Sequence, residues 1–251
     1  MKTFIPTAII AVFLLCASAH AQSGIDKTGF YRANLYYEEG KYDNALKLYS
    51  DIAGKGYESA NLYYNIGNCF YKKSDFPRAA LFYERARRLA PSDADLNSNH
   101  ELVISQLTQS YKTGEKNNLE KFIDWLYASF APDGLAIFIA ILNILLFSLL
   151  AGRLFLPAFK KQFFYLAAAL FLLMGLGIYD LFSRSQLFGK EAVIIAEKAN
   201  VKFEPGNAAV THFTIYGGEK VILVEDKGQW LKVKRLDGKL GWIRKEELEI
   251  I

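Results

Sequence analysis

The chain contains little cysteine, histidine or proline, and it has none of the common catalytic motifs. Its 251 residues include 2 cysteines, 3 histidines and 6 prolines, which excludes a disulfide-stapled scaffold, a collagen-like chain and a low-complexity chain. There is no HExxH, no GxSxG, no phosphate-binding loop ending in GKS or GKT, and no paired-cysteine metal site. We therefore expect a protein that is not an enzyme and that has no metal site and no cofactor.

Positive charge exceeds negative charge only slightly, and the excess is unevenly placed. The chain has 30 Lys and Arg residues against 26 Asp and Glu residues, a formal net charge of +4. Residues 22–131 carry 14 of each sign, and residues 185–251 carry 11 positive and 10 negative. Most of the excess therefore lies beside long apolar segments, where basic residues set orientation in a membrane. Neither polar segment offers the basic surface that nucleic acid requires, so we expect no nucleic-acid partner.

Residues 1–21 have the pattern of an export signal. Lys2 precedes a short apolar run, and the run ends in small residues up to Ala21. The run is too short to cross a bilayer, and small residues are typical of a signal-peptidase site, so we expect cleavage after Ala21. Cleavage would leave Cys69 as the sole cysteine, and we expect it to be a buried apolar residue without a disulfide.

A shift of 34 residues aligns the chain with itself between residues 26 and 93. The shift brings aromatic residues onto aromatic residues and alanine onto alanine, as the packing of two helices within each repeat requires. The aligned pairs are Tyr36 and Phe70, Tyr42 and Phe76, Ala45 and Ala79, and Tyr49 and Tyr83. The period predicts two helical hairpins, residues 26–59 and 60–93, followed by a capping helix within a helical domain over 22–114.

The second hairpin resembles a tetratricopeptide repeat across its whole length. Its residues at the signature positions of that family are Tyr63, Ile66, Gly67, Phe70, Ala79, Tyr83, Ala86 and Pro91. The first hairpin is more divergent and has Ala33 in place of the signature glycine. The resemblance implies that the first helix of each repeat lines a concave groove, which binds an extended peptide or a helix.

The same resemblance assigns a set of polar and aromatic side chains to that groove. The set is Asn34, Tyr37, Tyr64, Asn65, Asn68, Tyr71, Lys72 and Asn99. Amide side chains both donate and accept hydrogen bonds, so they suit the gripping of a peptide backbone. The alternative is that these asparagines only bond neighbouring helices of the repeats, and the sequence leaves both possibilities open.

Two long segments without charge follow the repeats. No charged residue lies between Asp133 and Arg153 or between Lys161 and Asp180. Uncharged runs of about 18–20 residues reach roughly 27–30 Å as a helix, which is enough to cross the core of a bilayer. We expect a juxtamembrane helix, a first span, a loop and a second span, at residues 115–132, 133–156, 157–161 and 162–183.

Basic residues predict the orientation of this hairpin. Arg153, Lys160 and Lys161 surround the short connection, so the positive-inside rule puts the loop in the cytoplasm. The amino- and carboxyl-terminal domains would then both be periplasmic, flanking an inner (cytoplasmic) membrane, which agrees with the export signal. Asn143 lies in the middle of the first span, and we expect its amide to hydrogen-bond to the other helix.

Short β-rich runs separated by turn signals fill residues 190–251. The runs are VIIAE, NVKF, EKVILVED, WLKVKR and LGWIR, and they predict a small five-stranded barrel. Three motifs resemble those of the bacterial SH3-like family: Asn200-Val201-Lys202, Gly228-x-Trp230 and Gly241-Trp242. Domains of that family often bind cell-wall peptides or act as spacers. Trp230 and Trp242 are accordingly a candidate ligand face, and the alternative is that both belong to the barrel core.

The order of these modules is more specific than any one of them. A signal peptide, all-α tetratricopeptide repeats, a transmembrane hairpin and an all-β SH3-like domain make a multidomain chain that resembles the BatE family of Bacteroides aerotolerance proteins. The resemblance implies a non-enzymatic inner-membrane scaffold or adaptor in an envelope stress and aerotolerance complex. It implies as partners the membrane-anchored von Willebrand factor A-type Bat proteins and, indirectly, a MoxR-type ATPase. A peptidoglycan-binding cell-wall sensor acting through the SH3-like domain is the alternative function.

Overall fold

The computed structural model describes residues 27–108, 132–155, 160–187 and 189–251. The chain divides into two compact units, residues 1–58 and 59–251, which are considered separately below. The predicted signal peptide and nearly all of the predicted juxtamembrane helix lie outside the described residues. Within the described residues there are seven α-helices and seven β-strands. A helical region, two long apolar helices and a carboxyl-terminal antiparallel sheet follow one another along the chain, as the sequence predicts.

The first unit contains one helical hairpin. Helix α1 covers Lys27–Glu38 and helix α2 covers Tyr42–Gly54. Ala33 and Ala45 are completely buried, which lets the two helices approach closely, and Tyr49 is buried with them. The tight connection requires Gly40, whose φ of +74° is in the left-handed region that side chains disfavour.

Three helices of the second unit continue the repeat. They are α3 (Ala60–Lys72), α4 (Phe76–Leu89) and α5 (Ala94–Thr108). Each begins beside a side chain that accepts a hydrogen bond from the first helical turn: Ser59 from Leu62 N, Asp75 from Arg78 N and Asp93 from Leu96 N. These residues satisfy backbone N–H groups that the helix itself leaves unpaired, so the sequence sets where each helix starts.

The core between α3 and α4 is aromatic and very closely packed. Gly67 faces the ring of Tyr83, and a Cβ atom at Gly67 would lie 2.6 Å from two ring carbons. Tyr83 is 1% exposed, so the absence of a side chain at Gly67 is what makes room for it. Cys69 is completely buried in the same helix and forms no disulfide within the described residues, as expected for a cysteine that acts as a small apolar residue.

Two long apolar helices follow, α6 (Pro132–Phe155) and α7 (Lys160–Leu187). By length and composition, the stretches Gly134–Ala151 and Lys161–Ser183 are both able to cross a membrane. The helices pack side by side and meet closely at Gly177, where a Cβ atom would lie 3.0 Å from Ile139 Cγ1. The predicted hydrogen bond from Asn143 to the other span is wrong among the described residues, because the facing part of α7 carries only apolar side chains.

The carboxyl-terminal domain is a seven-stranded antiparallel sheet. Its strands are β1 (Glu191–Ile194), β2 (Lys198–Lys202), β3 (Thr211–Tyr216), β4 (Lys220–Lys227), β5 (Trp230–Arg235), β6 (Leu240–Arg244) and β7 (Leu248–Ile250). The order across the sheet is β3-β2-β6-β5-β4-β1-β7. Strands β3 and β7 are the two edges and do not pair with each other in the part of the chain that the structure describes, so the sheet does not close into the predicted five-stranded barrel.

The five predicted runs correspond to β1, β2, β4, β5 and β6. Both strands that were not predicted lie at the edges of the sheet. Strand β3 buries only Ile215 completely, and β7 has three residues. Apolar and polar residues alternate in both edge strands, but β7 is very short and β3 buries few side chains, so neither run stands out in the sequence. All seven strands contribute inner residues to the core, including Ile194, Val233 and Ile243.

Candidate partner-binding surface

An asparagine on the first helix of each repeat accepts a hydrogen bond from a tyrosine on the second helix. In the first unit, Tyr49 Oη donates a hydrogen bond of 2.5 Å to Asn34 Oδ1. In the second unit, Tyr83 Oη donates one of 2.6 Å to Asn68 Oδ1. The two pairs are related by the same 34-residue shift, so the polar contact repeats together with the aromatic packing. Asn34 and Asn68 therefore have a structural role inside their own repeats.

The second unit brings three of the predicted groove residues together. Asn99 Nδ2 on α5 donates a hydrogen bond of 2.5 Å to Tyr64 Oη on α3. The rings of Tyr64 and Tyr83 lie 5.8 Å apart, and Tyr83 also holds Asn68. Tyr64, Asn68 and Asn99 thus form one connected, half-buried polar patch that joins α3 to α5.

The remaining predicted residues lie around this patch or in the first unit. Asn65 is half-buried on α3, and Lys72 is exposed in the last turn of that helix. Tyr71 is half-buried, with its ring 5.8 Å from that of Phe76. In the first unit, the half-buried Tyr37 packs edge-on against Tyr42 at 5.4 Å. The asparagine hydrogen bonds give Asn34, Asn68 and Asn99 an internal role, but among the described residues no hydrogen bond reaches Asn68 Nδ2 or Asn99 Oδ1, so both possibilities stay open for these two. Lys72 is an exposed charge.

The two tryptophans of the β domain are covered by lysines. Trp242 is 5% exposed and lies on the sheet face opposite the core, with Lys227 Nζ 4.9 Å and Lys232 Nζ 5.8 Å from its ring centroid. Trp230 is half-buried, and Lys202 Nζ lies 5.4 Å from its ring centroid. Lysine stems shield apolar surface while their ammonium groups stay near water. Trp242 consequently presents almost no free ring surface to a ligand.

A cluster of charges around Glu84 was not predicted from the sequence. Glu84 Oε1 lies 3.1 Å from Arg87 Nη1 and 3.0 Å from His100 Nε2. Glu84 Oε2 lies 3.2 Å from Nζ of Lys220, which is the first residue of β4, and Lys220 Nζ is also 3.4 Å from Glu191 Oε1. The Glu84 side chain is 14% exposed. The cluster therefore links α4 and α5 to the β domain through a largely buried carboxylate.

The environment decides the protonation of this cluster. Burial raises the pKa of Glu84, but the charge of Lys220, the His100 contact and the charge of Arg87 outweigh it and hold that pKa well below its ordinary value. Burial lowers the pKa of Lys220, whereas Glu84 and Glu191 raise it, and the net pKa is above its ordinary value. Both groups are therefore ionised at neutral pH, and their opposite charges hold the β domain against α4.

His100 faces an arginine on its other nitrogen. Arg87 Nη1 lies 3.4 Å from His100 Nδ1, and a guanidinium can only donate. In the neutral imidazole Nδ1 is then the acceptor, and the proton is on Nε2, beside Glu84. The N–H is not well aligned with the Glu84 oxygen, so this contact is electrostatic more than a hydrogen bond.

Apolar and main-chain contacts complete the attachment of the β domain to α4. Leu81, Val193 and Ile251 form a buried cluster. Arg85 pairs with Glu249 at 2.9 Å and also donates to the main-chain oxygen of Ile250. Arg88 donates to the main-chain oxygen of Ile251. Arg85 and Arg88, together with Glu84, thus give α4 a docking face for the β domain at strands β1 and β7.

The sequence contained only a weak signal of this docking face. The 34-residue shift aligns Glu84 with Ser50, which is exposed in the first unit. Comparison of the two repeats therefore marks Glu84 as a place where the second repeat departs from the first. It does not identify Lys220, because the two residues are 136 positions apart.

Paired helices recurring every 34 residues, with a small residue packed under an aromatic ring, define a helical-repeat protein of the interaction class. A family model for the tetratricopeptide repeat matches residues 32–94, which span α1 to the start of α5. The chain therefore contains tetratricopeptide repeats, a module that mediates protein–protein interaction and is typically a non-catalytic scaffold. No curated protein matches the chain significantly.

Proposed function

We propose that this chain is a non-enzymatic scaffold that is anchored in the inner membrane by α6 and α7 and binds protein partners through the polar face of its tetratricopeptide repeats. The observation that carries the proposal is the connected patch of Tyr64, Asn68 and Asn99 across α3 and α5. It lies on the helices that line the groove in the family, beside the exposed ammonium group of Lys72.

The patch has groups suited to an extended peptide backbone. Tyr83 uses one lone pair of Asn68 Oδ1, so the second lone pair and the amide N–H groups of that side chain would be the ones to bind a ligand. Carbonyl oxygens of a bound backbone would accept from such amides without regard to sequence. Lys72 would favour an acidic segment at the end of α3.

The resemblance to the BatE family suggests which complex the scaffold belongs to. We propose that its partners are membrane-anchored von Willebrand factor A-type Bat proteins, linked to a MoxR-type ATPase, in an envelope stress and aerotolerance complex. The carboxyl-terminal sheet would be an SH3-like domain. Its support is that Asn200-Val201-Lys202 lies on β2, that Trp230 begins β5 and that Gly241-Trp242 lies on β6.

The binding surface is tested best by a variant that keeps the repeat folded. Replacing Asn68 by alanine would leave the buried Tyr83 hydroxyl without its acceptor, so loss of binding would be confused with loss of stability. Asn68→Asp keeps the acceptor and removes the amide donors. We expect Asn65→Ala with Asn68→Asp to lower co-purification of von Willebrand factor A-type proteins from native membranes about tenfold, equivalent to one or two lost hydrogen bonds.

Asn44→Ala is the matched control, because Asn44 is an exposed asparagine on the second helix of a repeat. Both proteins are first compared by circular dichroism and thermal unfolding. Unchanged recovery of partners with the folded double variant would exclude the groove. An equal loss with Asn44→Ala would assign binding to another surface.

Contacts in the second unit support a periplasmic placement of both extramembrane domains. Because Glu84 on α4 pairs with Lys220 on β4, the repeat and the β domain must lie on one side of any bilayer that α6 and α7 cross. The basic residues near the connection put that side opposite the cytoplasm. We expect an alkaline-phosphatase fusion after Ile251 to be active and fusions within residues 154–160 to be inactive. The reverse pattern would refute the orientation, and activity at both places would refute the hairpin.

The cell-wall sensor is the weaker function. A sugar or peptide platform needs an exposed aromatic face, whereas Trp242 is 5% exposed and lies under Lys227 and Lys232. Retention of the full-length protein on purified sacculi, lost in a Trp230→Ala variant, would restore the sensor as the leading function.

A further inference from the structure

Asn143 is the only amide side chain between Gly134 and Ala151, and it has no hydrogen-bond partner among the described residues of the two long helices. It lies at the middle of that stretch and is half-buried. Over the whole of the described chain, no hydrogen bond reaches its side chain. A polar group of this kind in an otherwise apolar span needs an explanation.

The packing of the two helices explains why α7 does not satisfy it. The more buried positions of α6 recur at alternating steps of four and three residues, as in a coiled-coil seam. They are Leu135, Ile139, Leu142, Leu146 and Leu149, and the one further position of similar burial that does not fit this spacing is Asn143. Asn143 follows Leu142, so it lies on the flank of this seam. The part of α7 that faces it, between Phe171 and Gly177, reads FLLMGLG and offers no side-chain hydrogen-bonding group of ordinary strength.

Inside a bilayer the Asn143 amide cannot form hydrogen bonds to water. Its own helix already uses the neighbouring backbone groups, and hydrocarbon offers neither donor nor acceptor. A carboxamide left unpaired there is costly, so a partner from outside the hairpin is favoured. Only 11% of each span is buried within the chain, so the flank beside Asn143 is open to another helix.

We propose that a second copy of this chain covers this flank, with Asn143 of each copy hydrogen-bonded to Asn143 of the other across a two-fold axis. A carboxamide contains a donor and an acceptor, so two copies satisfy each other without any further residue. Ala136 and Ala140 lie on the same flank, two turns and one turn before Asn143, and both are exposed. Small side chains there let the two α6 helices approach closely enough for the amides to meet.

The inference rests on the membrane placement proposed above, so the first measurement is of that placement. The full-length protein is extracted from its membranes with alkaline carbonate. Recovery in the soluble fraction would contradict both the membrane placement and the proposed dimer. Recovery in the membrane fraction with a wild-type protein that is monomeric would remove only the dimer.

The amide is then tested by substitution in the full-length protein. We expect Asn143→Leu to weaken the dimer about tenfold in native membranes or mild detergent, and Asn143→Gln to preserve it, because glutamine keeps both hydrogen-bonding groups. Ser148→Leu is the control, since Ser148 is an exposed polar residue on another face of the same span. A dimer that persists unchanged in Asn143→Leu, or that is lost equally in Ser148→Leu, would overturn the proposal.

Cysteine crosslinking locates the interface. In a background with Cys16 and Cys69 replaced by serine, we expect Ala140→Cys to form a disulfide-linked dimer under mild oxidation. Ile141→Cys, at nearly the same depth but about 100° further around the helix and away from Asn143, should not. Equal crosslinking of both variants would indicate random collision. Crosslinking of Ala140→Cys to a different protein would show that this protein, and not a second copy of the chain, covers the flank.

Discussion

The Glu84→Gln variant should lose about 3 kcal/mol of the free energy of unfolding at pH 7, because it removes the charge that three neighbouring groups share. Lys220, Arg87 and His100 all lie within 3.2 Å of the Glu84 carboxylate. Removing it leaves the half-buried Lys220 with only Glu191 for compensation. Urea unfolding of the full-length protein in detergent, followed by tryptophan fluorescence, measures the change.

The pH dependence identifies the cause of that loss. The folded-state pKa of Glu84 is below its ordinary value of 4.5, so its contribution is complete above about pH 4.5 and is lost as the pH falls toward the folded-state pKa. The difference between wild type and Glu84→Gln should therefore shrink below that pH. The raised pKa of Lys220 has the opposite pH dependence. Its contribution to the free energy of unfolding is complete below pH 10.5, its ordinary pKa, and is lost as the pH rises through the higher folded-state pKa.

Glu246→Gln is the control for this prediction. Glu246 forms an ion pair of 2.9 Å with Arg244, but its side chain is 71% exposed. Exposed pairs contribute little, so this variant should unfold close to the wild-type midpoint. If Glu84→Gln were as stable as Glu246→Gln at pH 7, the charge cluster would not hold the β domain to α4.

The Gly67→Ala variant should lose about 2 to 3 kcal/mol, although alanine is the better helix former. Its Cβ atom would lie 2.6 Å from two ring carbons of Tyr83. The ring cannot retreat easily, because Tyr83 is 1% exposed and its hydroxyl is bonded to Asn68. The gain in helix propensity is about 1 kcal/mol, which the cost of overpacking exceeds. Thermal unfolding measures the net effect.

Gly54→Ala separates the gain in helix propensity from the cost of overpacking. A Cβ atom at Gly54 would meet no atom within 4 Å, and the residue is at the end of α2. This substitution should be neutral or slightly stabilising, since it adds propensity without a clash. A Gly67→Ala variant that unfolds at or above the wild-type temperature would show that α3 and α4 can separate at little cost.

The parts of the fold that could be predicted from the sequence are those in which a short-range pattern sets the structure. The 34-residue period predicted both helical hairpins, and uncharged runs predicted the two long apolar helices. Strand β5 was predicted because apolar residues alternate with lysines in it, and β6 because it is a short run of apolar and aromatic residues. The edge strands β3 and β7 were not predicted, because β7 is only three residues long and β3 buries only Ile215 completely.

The site was less predictable, because its contacts join distant parts of the chain. The alignment of Asn34 with Asn68 could be read from the period, and so could that of Tyr49 with Tyr83. The hydrogen bonds that join each pair required the helix packing. The attachment of Lys220 to Glu84 depends on where the sheet lies against α4, and no local pattern carries that information. The shielding of Trp242 by Lys227 and Lys232 likewise depends on strand register.

The attachment of α4 to the β domain also sets an order of events during synthesis. Arg85 and its partner Glu249 are 164 residues apart, and both long apolar helices lie between them. At a synthesis rate of roughly 5–20 residues per second, the docking face of α4 waits on the order of 10–30 s for strands β1 and β7 to be made. During that interval Leu81 and Glu84 lack their partners in the β domain, so nascent repeats are most vulnerable to aggregation and proteolysis until strands β1 and β7 have been made.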